Sequence, residues 1–253
     1  MRFSEEILKY LENESFHNGL SVQIADKHTK VYMRNKFLVD YVAGKRVVHL
    51  GCANHLPLID DMIDEGTWLH AKLNEVCLDL LGVDIDSDSI EHLRKHHRYG
   101  DSVICADIRD SNVEQISSKK WDTLLIPDVL EHIDNPVEFL RSIRDNYMDN
   151  FDNLIITVPN AFDWKNIDNL KLNKEVVNSD HRYWFTPYTL ARVLASAGLR
   201  LVEFQYADGM IARKRGLRSK LLLLPFIKFL YQKKMLRRLP AMSETIIALV
   251  TFK

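Results

Sequence analysis

The sequence predicts a doubly wound α/β domain on a mostly parallel sheet, and three observations carry that prediction. Short β-branched runs alternate with stretches of helical period along most of the chain, which implies right-handed crossovers between parallel strands. The first strong run, Arg46-Val47-Val48-His49-Leu50-Gly51, is largely apolar and ends on a glycine, as a strand buried on both faces does. Acidic residues then stand where the following strands end, at Asp84, Asp107 and Asp128.

The elements follow in order. Phe3, Ile7 and Leu11 recur at i, i+4 and i+8 among charges, predicting an amphipathic helix over 3–14. A second helix is expected from Lys30 to Val42, stopped near Gly44. After the strand at 46–51, Leu78–Ile85 reads as a strand and Ser87–His97 as a charged helix. Ser102–Ala106 and Trp121–Ile126 are strands, Pro136–Tyr147 a helix and Asn153–Val158 a strand. Pro187–Ala197 is a helix closed by Gly198, and Leu199–Tyr206 and Glu244–Phe252 are the last strands. That makes a seven-stranded sheet. The final two strands, with no helical crossover between them, are expected as an antiparallel edge pair. Residues 1–253 form one domain, with N-terminal helices over 1–44 and a basic, apolar insertion over 209–243.

Composition agrees with one core. The chain has 253 residues, 46% of them hydrophobic and 27% charged, which fits a folded domain and argues against disorder. Net charge is −1, but residues 201–253 hold 11 Lys/Arg against 3 Asp/Glu, leaving −9 on residues 1–200. Three cysteines without a Cys-x-x-Cys pair disfavour a disulfide framework and a zinc knuckle. The start, Met1-Arg2-Phe3-Ser4-Glu5-Glu6, turns acidic where a secretory signal would be apolar, and no apolar run reaches the ~20 residues of a membrane span. A cytoplasmic protein is expected, with peripheral membrane contact through the basic segment as an option.

In open α/β sheets ligands lie beyond the carboxyl ends of the strands. A glycine at position 51 would let a ligand come close to the backbone at a helix N-terminus. The dinucleotide fingerprint fails, because Ala53 and Leu56 stand at its second and third glycine positions. Asp84 can accept both hydroxyls of a ribose, whereas Asp86 precedes Ser87-Asp88-Ser89 and suits a helix cap. Asp107 can take the amine of an adenine.

The fourth strand runs into Trp121-Asp122-Thr123-Leu124-Leu125-Ile126-Pro127-Asp128-Val129-Leu130-Glu131-His132-Ile133-Asp134-Asn135-Pro136. This segment resembles one typical of class I S-adenosylmethionine-dependent methyltransferases, and their other signatures follow in order. VVHLGCANH resembles their glycine loop, GVDID their ribose acid, CADI their adenine contact and NLIITVPN their fifth strand. HRYWFTPYTLARVLASAGLRLVEF and SETIIALVTFK resemble their late helix and last two strands, so the likeness runs from about Lys30 to Tyr206 and resumes at the end. It implies a Rossmann-like methyltransferase fold and S-adenosylmethionine as cofactor, with S-adenosylhomocysteine as product. It also implies a cofactor set of Arg34, Gly51, Cys52, Asp84, Ile85, Asp107, Ile108 and Asp128. Arg34 enters because relatives of the ubiquinone-pathway type keep an arginine there for the cofactor's carboxylate. The family usually has an acid where His49 stands and glycines where Ala53 and His55 stand, so the methionine end is expected to be held differently.

For the chemistry, the resemblance singles out His132 and His181. An alcohol acceptor must lose a proton to a base or to a metal-bound group. Asp128-x-x-Glu131-His132 resembles the Glu-x-x-Glu-His run with which some ubiquinone-pathway and small-RNA methyltransferases bind metal, the latter adding a later histidine. Magnesium or manganese is one use of such a run; a histidine base or positioning group is preferred here. Two other readings are a methyltransferase-like module that binds cofactor or partner without catalysis, and a nicotinamide reductase, which lacks its glycines and a Tyr-x-x-x-Lys pair. The acidic balance of residues 1–200 and the lack of an aromatic–basic ladder disfavour nucleic acid. A small molecule or a glycan remains, and the shortened HLGC loop resembles enzymes that decorate bacterial surface glycans.

Overall fold

The computed structural model describes residues 1–53, 56–97, 99–100, 102–111, 113–208 and 234–252. The chain begins with α1 (Glu5–Leu11), β1 (Val31–Met33) and α2 (Arg34–Val42), then forms β2 (Arg46–Leu50), α3 (Leu56–Asp64), α4 (Leu69–Asn74) and β3 (Asp79–Asp84). It continues through α5 (Ser87–His96), β4 (Val103–Cys105), α6 (Glu114–Ser117), β5 (Trp121–Pro127), α7 (Pro136–Tyr147) and β6 (Phe151–Pro159). The last elements are α8 (Trp164–Leu170), α9 (Pro187–Ser196), β7 (Leu199–Asp208) and β8 (Thr245–Phe252).

The strands form one sheet in the order β1-β7-β8-β6-β5-β2-β3-β4. β8 is antiparallel to both neighbours, while every other pairing is parallel. From β2 the chain winds outward through β3 and β4, then returns to β5 on the other side of β2. The sheet therefore reverses between β2 and β5, which sets the crevice at their carboxyl ends.

Two expectations are corrected. The sheet has eight strands, because Val31-Tyr32-Met33, read as the start of a helix, pairs with Tyr206, Ala207 and Asp208. The antiparallel pair does not lie at the edge. β8 sits between β6 and β7, and β1 covers the far side of β7. Its composition explains this position: Ile246, Ile247, Ala248 and Val250 are buried on both faces, as an interior strand requires.

Alternation along the strands splits the core. Val48, Leu124, Leu154 and Ala248 face the layer of α6, α7 and α9, meeting Ile116, Leu140, Ile143 and Leu194. Val47, Leu125, Ile155 and Ile247 face the opposite layer, meeting Leu38 and Val42 of α2 and Leu69 and Leu73 of α4. A third cluster joins α3 to α5 through Ile59, Ile90 and Leu93. Cys52, Cys77 and Cys105 are all unpaired. Among the described residues no helix is long and apolar enough to cross a membrane. Nearly all of the segment Arg213–Arg238, and His55 of the glycine loop, lie outside the described residues.

Candidate active site

At the end of β2 the backbone turns at Gly51, which has φ +69°. A Cβ there would lie 2.5 Å from Cγ2 of Val129, in the loop after β5. The close approach that needs glycine is thus made by the protein's own side chain. Cys52 is buried, and burial pushes its thiol pKa well up, which keeps it protonated. Ala53 donates its N–H to Asp84 Oδ2 (3.0 Å), and Asp86 donates its N–H to Asp84 Oδ1 (3.1 Å). The ends of β2 and β3 are therefore locked around one carboxylate. Asp86 caps α5 by accepting from the N–H groups of Asp88 and Ser89, as its sequence context predicts.

His49, standing where the family usually has an acid, is buried with its Nδ1 3.1 Å from Nδ1 of His70 on α4. Gly82 of β3 makes room for this pair: a Cβ there would lie 2.7 Å from His70 Cε1. Burial holds His49 well below the usual imidazole pKa and brings His70 to about 4, so both rings are neutral and one donates to the other. No sequence motif announces His70.

At the end of β4, Asp107 is turned onto Arg109. It accepts from Arg109 Nε at 3.0 and 2.9 Å and from the Arg109 backbone N–H at 2.9 Å, and this guanidinium lowers its pKa. Ile108 is buried in the core, whereas Ile85 is 71% exposed beside Asp84.

Beyond β5, Asp128 takes φ +52° and is held from two sides. Arg34 Nη2, from the first turn of α2, lies 2.6 Å from Asp128 Oδ2. Thr157 of β6 donates its hydroxyl to Asp128 Oδ1 (2.7 Å). Arg34 is thus drawn into the carboxyl edge of the sheet, not left on a solvated helix face. Its Nε is buried with no hydrogen-bond partner among the described residues. Thr157 escaped the sequence reading, although a lone hydroxyl in the apolar run of NLIITVP is a visible signal.

One turn on, Leu130–His132 form a single 3₁₀ turn that buries Glu131 completely. Neither carboxylate oxygen of Glu131 has a hydrogen-bond partner among the described residues. Desolvation, and then the charge of Asp128, raise its pKa to about 8. His132 and His181 meet edge to face with ring centroids 4.7 Å apart. Burial lowers the pKa of His181, whose Nδ1 is buried and lacks a hydrogen-bond partner among the described residues. One ligand atom each of Glu131, His132 and His181 lies within 4.8 Å of the other two. Of the expected foursome, Asp128 is spent on Arg34 and Thr157, and the remaining three converge.

Carboxylates at successive strand ends lie around the reversal of a doubly wound sheet, where folds of this α/β class bind their ligands. Residues 33–204 match a sequence family described as "Methyltransferase domain", so the chain belongs to that family. It is an S-adenosylmethionine-dependent methyltransferase. The methyltransferase domain of the bacterial CtHen1-CN protein is 16% identical, with 87% of this chain and 98% of that one covered at a TM-score of 0.52. The small RNA methyltransferase HEN1 is 15% identical, with 92% of this chain and 28% of that one covered, also at 0.52. A SAM-dependent methyltransferase from Archaeoglobus fulgidus is 18% identical over 86% and 90% of the two chains, at 0.48. The first two likenesses show a shared fold. No curated protein matches the chain.

The donor set fits the cofactor's chemistry. Asp84 can take the ribose hydroxyls and Ile85 can pack on the adenine, while Arg34 and Asp128, here paired with each other, would have to give up part of that ion pair to hold the methionine carboxylate and ammonium. An adenine amine would share Asp107 with Arg109, and buried Ile108 would offer only backbone.

Proposed function

We propose that the chain methylates a hydroxyl of a small-molecule or glycan acceptor, and that Glu131, His132 and His181 line the acceptor side of the site. The observation that carries this reading is the convergence of these three side chains beyond Asp128, with the Glu131 carboxyl buried and without a hydrogen-bond partner among the described residues. When bound, S-adenosylmethionine supplies an electrophilic methyl group, so the protein's main tasks are alignment and proton removal. A neutral imidazole accepts the hydroxyl proton, and burial keeps His181 neutral. Glu131 can then stabilise the imidazolium. Burial and the charge of Asp128 raise the Glu131 pKa, and an adjacent imidazolium would favour its ionised form.

A cavity of about 500 Å³ offers room for an acceptor, although Glu131, His132 and His181 are not among the residues that line it. It opens where residues 10–24 meet Phe162, just past the carboxyl end of β6, and the start of α9. Tyr10, Phe16, Phe162 and Tyr188 give it aromatic walls suited to stacking on sugar or ring faces. One fold neighbour is a small RNA methyltransferase, but residues 1–200 carry −9, which disfavours a polyanion. A divalent ion at the trio is the second reading, favoured by its ligand spacing.

The test is release of S-adenosylhomocysteine with sugar, nucleotide-sugar and phenol acceptors, with the methylated atom assigned by NMR. His132→Ala and His181→Ala should each slow turnover by roughly a hundredfold while leaving cofactor binding intact. Asp84→Ala should instead weaken cofactor binding roughly ten- to a hundredfold, the loss of charged hydrogen bonds. Parent-like turnover in both histidine variants, or methyl on nitrogen or carbon, overturns the reading. Activity that survives a chelator removes the metal alone.

A further inference from the structure

A second group of ligating side chains lies away from the strand ends, between α3 and α5. His92 Nε2 lies 2.7 Å and His97 Nε2 2.9 Å from the same oxygen, Asp60 Oδ1. Each ligand atom of the three is within 4.8 Å of the others. All three are reachable from solvent, with side chains 25%, 20% and 59% exposed for His92, His97 and Asp60. The ring of His96 stands 4.7 Å from that of His92.

Two imidazoles aimed at one carboxylate oxygen through the same ring atom need both Nε2 protonated. A transition-metal ion does the same work with no proton, because each neutral imidazole then offers a lone pair where it had offered a hydrogen. Two nitrogens and one oxygen suit zinc, cobalt or nickel more than magnesium or calcium. The two nitrogen–carboxylate separations need to open by about 0.4–0.6 Å to reach the ~3.3 Å ligand spacing of a tetrahedral zinc site.

We infer that Asp60, His92 and His97, with water completing the shell, bind a zinc-class ion that clamps α3 to α5. The clamp has a natural target. α3 follows the turn at Gly51–Ala53, and α5 follows the Asp84–Asp86 corner. Ile59, Ile90 and Leu93 already pack the two helices together beneath the cluster. An ion there ties together the two segments locked around Asp84.

Tag-free protein carrying His132→Ala and His181→Ala removes the other trio from the measurement. Cobalt and zinc titrations of that protein should show one equivalent bound, with a cobalt spectrum of nitrogen and oxygen ligands and zinc raising Tm. Adding His92→Ala and His97→Ala should abolish both signals, with circular dichroism unchanged. The inference is overturned by absence of binding before that change, by binding that persists after it, or by a thiolate charge-transfer band pointing to Cys105.

Discussion

Glu131 shows how a single residue couples the site's chemistry to stability. Its carboxyl is fully buried without a partner among the described residues, and it titrates at about 8 against a reference of 4.5. The native state therefore binds the proton more tightly than the unfolded chain does. Stability linked to this group is complete below about pH 4.5 and is lost as pH rises towards 8. Glu131→Gln keeps the shape and removes the charge, so it should flatten this slope. In chelated buffer, urea denaturation at about pH 5.5 and about pH 8 should show a larger gain for the variant at the higher pH. An equal change at both values would mean that Glu131 is ionised in the native state and held by a cation. The neutral His49–His70 pair has the opposite sign: its contribution is present above 6.5 and is lost as pH falls towards about 4.

At the scale of elements, the sheet was legible wherever period and punctuation agreed. α7 begins at Pro136 after the capping Asn135, and the pattern placed its ends at the residues observed. α9 has a Thr186 capping box and ends before Gly198. β1 was misread because three residues give no period of their own; pairing with β7 decides their state. α3 and α4 were not read; α4 has no side-chain cap bond and only six residues. Within the site, the strand-end acids were visible, while Thr157 as the partner of Asp128, Val129 against Gly51, and the pairing of His49 with His70 depend on long-range contacts. The contact between Gly51 and Val129 can be tested as a coupled pair. Gly51→Ala should cost about 1–2 kcal/mol for the left-handed backbone, plus a further roughly 1–3 kcal/mol for overpacking against Val129. Val129→Ala should return the second part only, read as a double-mutant cycle in urea. Additive losses would mean that the two residues do not touch.

For the whole molecule the decisive feature is where its charge leaves the sheet. β7 ends at Asp208 and β8 begins at Thr245, with Ala207 paired to Thr245 and the Glu244 N–H donating to Asp208 Oδ1 (2.9 Å). Both ends lie at the carboxyl edge that carries Asp84, Asp128 and Glu131. The returning chain is pinned there by Asn160, whose Nδ2 donates to the carbonyls of Ala241 (2.8 Å) and Ser243 (2.7 Å). The connection between Gly209 and Ser243 therefore starts and finishes beside the site, and it carries 10 Lys/Arg and no acid on a chain whose first 200 residues hold −9. Ten cations on that connection would attract anionic groups, whether phosphates of an acceptor or of a lipid surface. Attraction to an anionic membrane contributes about 1 kcal/mol per basic residue near it and is screened within ~10 Å at 0.1 M salt. Flotation with vesicles containing anionic lipid should therefore carry the protein upward at low salt, less at high salt, and not at all once Arg213, Lys214 and Arg215 are changed to Ser. Absence of flotation at low salt, together with an unchanged KM for phosphate-bearing acceptors in the triple variant, would leave these cations with no role in recognition.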